Sequence, residues 1–171
     1  SCNQSSMILK MFLSNFPIGE SKTHLEQNKV IKKFKEKKLK LNSNQAEVVH
    51  KIDEITFKKF KVILLEGVTG SGKTRVYFHK VREVINQGYQ CLILVPEIIL
   101  TTQWVEDIKN DFDINPTVYH SSIKKKTREE IWGKVNLNQE KLIIGTRSAL
   151  FLPFNKLGLI VIEEEHDSSY K

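Results

Sequence analysis

Eight consecutive residues, Gly67-Val68-Thr69-Gly70-Ser71-Gly72-Lys73-Thr74, fit the spacing G-x-x-x-x-G-K-[ST]. Each residue type there suits the holding of a nucleoside triphosphate. Glycines let the backbone curl until successive N–H groups point into one concavity that cradles a β-phosphate. A helix starting near Lys73 adds the positive end of its dipole. Lys73, projecting from the loop toward solvent or ligand, reaches the β- and γ-phosphates, and the Thr74 hydroxyl completes the coordination of Mg²⁺. A flexible glycine-rich turn is the competing reading.

Such a loop needs an acidic partner at the end of a second buried strand, next to the first. Leu159-Ile160-Val161-Ile162 runs straight into Glu163-Glu164-Glu165-His166-Asp167. Glu163 is suited to Mg²⁺, through water, and Glu164 to polarising an attacking water. A solvated acidic loop is the alternative.

The surrounding pattern supplies the elements that position these groups. Lys61 to Leu65 is a short apolar run before Gly67, and Lys73 to about Gln87 shows helical periodicity, with Tyr77, Val81, Val84 and Ile85 on one face. Asn42 or Ser43 caps a helix reaching about Phe57. Further strands are expected at 90–95, 116–119, 141–145 and 157–162, with helices at about 100–112 and 126–135. Continuously apolar strands separated by helices predict an α/β fold, a mainly parallel sheet with helices on both faces.

Composition sets the limits. The 171 residues are 40% hydrophobic and 27% charged, enough for one buried core. No apolar run approaches the ~20 residues that span a bilayer, and nothing reads as a signal peptide. Cys2 and Cys91 cannot build a disulfide framework or a cysteine-only zinc site. A soluble protein of a reducing compartment, cytoplasmic and without membrane partners, is expected. The net charge is +7, and between Ser21 and Lys40 eight lysines stand against two glutamates. That run reads as a solvated linker or helix face, or as a phosphate-contacting surface.

Several strings together resemble the superfamily 2 DNA helicases, and among them the bacterial primosomal replication-restart helicases. They are Leu41-Asn42 with Gln45, the loop 67–74, Leu94-Val95-Pro96-Glu97-Ile98 with Leu100, Thr101 and Gln103, His120-Ser121, Ile144 to Phe151 with Pro153, and Glu164 to Lys171. The resemblance covers 41–171 and implies a RecA-like P-loop NTPase lobe using ATP and Mg²⁺ in an ATP-dependent 3′–5′ DNA helicase. It implies that Gln45 reads the adenine edge, and that loops holding Thr101, Gln103, Thr146, Arg147 and Ser148 touch the backbone of single-stranded DNA. It further implies that His166 couples nucleotide state to those loops. Implied partners are single-stranded and forked DNA, the primosome and single-stranded-DNA-binding proteins. Capping or a salt bridge is the alternative for Thr101 and Arg147. Trp104, Tyr119, Trp132 and Phe151 are read as core residues before base stackers.

One position departs from the family pattern, which begins the acidic motif with Asp where this chain has Glu163, a methylene longer. Residues 1–41 are expected to be the remnant of an upstream DNA-binding region plus a lysine-rich linker, and 42–171 the N-terminal motor lobe. A second lobe with its arginine finger and a cysteine-rich zinc module would lie elsewhere in such a helicase. The chain by itself is therefore expected to bind nucleotide with little turnover. The competing readings are a nucleotide- and DNA-binding module, or another P-loop nucleotidase.

Overall fold

A computed structural model of the chain describes residues 6–13, by their backbone, and 41–55, 61–68 and 70–163. In chain order these form β1 (Ser6–Leu13), α1 (Ser43–Ile55), β2 (Lys61–Val68), α2 (Lys73–Asn86), β3 (Gln90–Leu94) and α3 (Thr102–Phe112). There follow β4 (Thr117–Tyr119), α4 (Lys125–Asn136), β5 (Leu142–Gly145), a 3₁₀ turn (Arg147–Phe151) and β6 (Leu157–Ile162).

The strands make one sheet in the order β2-β1-β6-β3-β5-β4. β6, β3, β5 and β4 are parallel, as the helical crossovers require. β1 is antiparallel to both of its neighbours, pairing Leu9 with Leu65 on β2 and Lys10 with Ile162 on β6. The expectation that β6 lies next to β2 is therefore corrected, because β1 stands between them. Single-strand periodicity carries no information on such a long-range antiparallel pairing.

Side chains alternate across the sheet with period two. Cys91, Ile93, Leu142, Ile144, Leu159 and Val161 face one core, under α1, α2 and α3. Leu92, Leu94 and Ile143 face the other, with Ile131 and Val135 of α4 and Ala149 of the 3₁₀ turn. Burying each such aliphatic contributes about 1.5–3 kcal/mol. Helices thus cover both faces of the parallel strands. Over β2 the cover is one-sided: Ile63 and Leu65 meet the first core, whereas Val62, Leu64 and Val68 on the opposite side are half exposed. Among the described residues no helix is long and apolar enough to cross a membrane.

Helix ends follow local chemistry. Asn42 and Gln45 form a reciprocal cap: Gln45 N–H donates to Asn42 Oδ1 at 2.9 Å and Asn42 N–H to Gln45 Oε1 at 3.1 Å. α3 begins at Thr102, not Leu100, because Pro96 to Leu100 turns on itself and Thr101 Oγ1 accepts from Trp104 N–H at 3.2 Å. α2 stops where Gly88 takes φ +88°.

Candidate functional site

β2 and β6 run the same way, since each is antiparallel to β1. The loop after β2 and Glu163 after β6 consequently sit at the same edge of the sheet, the carboxyl end of the strands, where open α/β sheets bind ligands. Gly70 and Gly72 take φ +81° and +82°, a left-handed backbone that side chains resist. Gly72 caps α2, and its carbonyl accepts from Arg75 N–H at 3.0 Å.

Lys73 does not project into solvent as expected. It is 8% exposed, and its ammonium lies on the Gly67 and Val68 carbonyls (2.9 Å to the latter), with Ser71 Oγ at 3.4 Å. An ammonium has three donors and takes the nearest acceptors, here the carbonyls at the end of β2. Burial pulls its pKa below the ordinary value, and the charge of Glu163 works against that shift.

Glu163 is 3% exposed, and its N–H donates to Leu94 O at 2.9 Å. Its carboxylate accepts from the hydroxyl of Tyr77. Burial, and then the charge of Glu163, hold the Tyr77 phenol well above its ordinary pKa. On the other flank Gln45 Nε2 donates to Ser71 O at 3.2 Å. The structure thus gathers Gln45, Gly67, Val68, Gly70, Ser71, Gly72, Lys73, Thr74 and Glu163. Thr69, Glu164 and His166 lie outside the described residues.

Farther along the same edge, Val95, Glu97, Ser121, Thr146, Arg147, Ser148 and Phe151 line a cavity of ≈ 350 Å³. Three of the five residues assigned to DNA, Thr146, Arg147 and Ser148, share it. The other two are engaged elsewhere, Thr101 as the α3 cap and Gln103 through Nε2 to Asp107 Oδ1 at 2.8 Å. The aromatics divide. Tyr119 is buried and Trp104 packs on the first core, as expected, whereas Trp132 is half exposed and Phe151 is 78% exposed.

Two residues escaped the sequence reading. Tyr77 counted only as part of an apolar face. Lys80 is buried and bridges Asp53 of α1 (2.6 Å) and Glu83 of α2. A lysine beside Val81 on a stripe that includes Tyr77 and Val84 was the available signal, since a buried cation must be paired.

The model of the family described as "Type III restriction enzyme, res subunit" matches residues 38–171. The chain is 44% identical over 136 residues to "Replication restart protein PriA" of Haemophilus influenzae, covering 80% of this chain and 18% of that protein. Proteins of the same name from Rickettsia prowazekii and Bacillus subtilis are 38% and 40% identical, over 98% and 85% of this chain and 24% and 18% of theirs. The chain therefore spans only about a fifth of the length of these relatives.

Proposed function

The chain belongs to the Type III restriction enzyme, res subunit family, and from that premise we propose that it is the first RecA-like motor lobe of an ATP-dependent 3′–5′ DNA helicase acting in replication restart. The observation that carries this reading is the joining of Gln45, the 67–74 loop and Glu163 at one sheet edge.

ATP binds with its phosphates on the loop N–H groups and at the start of α2. Lys73 leaves the Gly67 and Val68 carbonyls for the β- and γ-phosphates, and Gln45 takes the adenine edge. Thr74 and Glu163 offer hard oxygen donors, which suits Mg²⁺ held by one or two protein groups together with substrate phosphates. When bound, Mg²⁺ offsets charge on the phosphate oxygens. Glu164 orients the attacking water, and His166 passes nucleotide state to the DNA loops. Thr146, Arg147 and Ser148, with Thr101 and Gln103, hold the backbone of a single strand without reading its bases. Forked DNA, the primosome and single-stranded-DNA-binding proteins are the partners of this reading, and the cytoplasm its location. Residues 42–171 form the lobe, and β1 is a strand that the upstream region contributes to it.

Calorimetric titration of Mg²⁺-ATP into the chain tests the reading. Binding is expected, and Lys73→Ala is expected to remove most of it. Equal affinity in that variant would overturn the assignment.

A further inference from the structure

We propose that Tyr77 is a positioning residue for the metal-side carboxylate: its buried hydroxyl holds Glu163 Oε1 and so fixes where that carboxylate sits relative to Thr74 and Lys73. The inference rests on the phosphate-loop reading above and adds to it a residue that the loop motif does not contain.

Two observations carry it. First, the Glu163 carboxylate hangs on two methylene groups, so it needs an outside constraint to occupy one place. Tyr77 supplies that constraint from a ring that is itself fully buried against Phe78, with centroids 4.9 Å apart. Second, β1 separates β2 from β6, so no ladder hydrogen bond ties the loop strand directly to the strand that runs into Glu163. The link passes through α2 instead. Lys73, Thr74 and Tyr77 stand at helical positions i, i+1 and i+4, which brings the phosphate lysine and the phenol to one face. Groups that orient a metal-side ligand in this way set its affinity even though they never touch the ion.

The test follows binding of a fluorescent ATP analogue to the full chain while Mg²⁺ is titrated. Four proteins are compared: unaltered, Tyr77→Phe, Glu163→Gln, and the double variant. Tyr77→Phe keeps the ring and removes only the hydroxyl. Its Mg²⁺ midpoint is expected to rise on the order of tenfold, with metal-free nucleotide binding in chelator unchanged. In the double variant the midpoint is expected to match that of Glu163→Gln alone, because the hydroxyl acts only through that carboxylate. An unmoved midpoint in Tyr77→Phe overturns the inference. So does equal weakening with and without metal, or loss of a cooperative thermal melt, since either makes the hydroxyl a general structural contact. Failure of the unaltered chain to bind the analogue overturns the phosphate-loop reading, and this inference with it.

Discussion

Gln45 Nε2 donates to the backbone carbonyl of Ser71 at 3.2 Å, fastening the first turn of α1 to the phosphate loop. The same amide packs so closely on Gly72 that a Cβ there would lie 2.2 Å from Nε2. Gly70 has nearly the same left-handed backbone with open space around it. Gly70→Ala is expected to cost only the backbone strain, about 1–2 kcal/mol. Gly72→Ala carries that strain and also displaces Gln45. Thermal melts of the two variants should differ, and the ratio of ATP to GTP affinity should fall in Gly72→Ala alone.

Nucleotide binding should take up protons at alkaline pH. Burial depresses the Lys73 pKa below 10.5, so the free chain begins to lose that proton early. A bound triphosphate favours the charged form and draws the proton back. The uptake should appear as pH rises toward the depressed pKa and should fade only above the higher pKa that Lys73 has beside the bound triphosphate. Calorimetry in buffers of different ionisation enthalpy measures it, and Lys73→Arg, which stays charged, should abolish it.

Lys80 acts with the opposite sign. Burial opposes its charge, but the hydrogen bonds that its ammonium donates to Asp53 and Glu83 outweigh that and hold its pKa above 10.5. Its stabilisation is fully present below 10.5 and is lost as pH climbs through the raised value. Because both carboxylates are nearly half exposed, Lys80→Met should cost about 1–2 kcal/mol, between a surface and a buried pair. Denaturant melts should show the gap between the two proteins closing at strongly alkaline pH.

Binding of single-stranded DNA should be indifferent to base sequence and fall steeply with salt. Phe151 stands out from the rim of the cavity that holds Arg147. Phe151→Ala should weaken binding by about 1–3 kcal/mol, the range for one stacked base, while Arg147→Ala should also flatten the salt dependence. If deleting 22–40 abolishes binding and these substitutions do not alter it, the lysine run is the contact surface.

Steady-state phosphate release by the chain alone should be slow and unstimulated by DNA. An arginine finger from a second lobe is typically worth roughly 10³–10⁵ in rate. Turnover of about 1 per second or faster, eliminated by Glu164→Gln, would show the lobe to be self-sufficient.

What the sequence revealed was local. The G-x-x-x-x-G-K-[ST] spacing, the apolar run before it and the cap at Asn42 each depend on neighbours within a few residues. All three are where they were expected. Lys73, Tyr77 and Lys80 were misread or passed over for one shared reason. Their roles depend on partners brought in by tertiary packing: the carbonyls at the end of β2, Glu163 after β6, and Asp53 on α1. Thr101 shows the converse, since a capping hydroxyl and a phosphate-contacting hydroxyl look the same in a sequence.

The position of β1 bears on how the sheet is assembled. Its two flanks pair with β2 and with β6, so Lys10 meets Ile162, the last residue of the final strand. Contacts of such sequence separation form slowly, because a long loop must close before they give anything back. Until β1 is seated, β2 and β6 each present a row of unsatisfied N–H and C=O groups, and such open edges recruit strands from other chains. Amide exchange along Val62–Val68 and Ile160–Ile162 would then be governed by one shared opening event, and the folding intermediate most prone to aggregate would be the one still lacking its first strand.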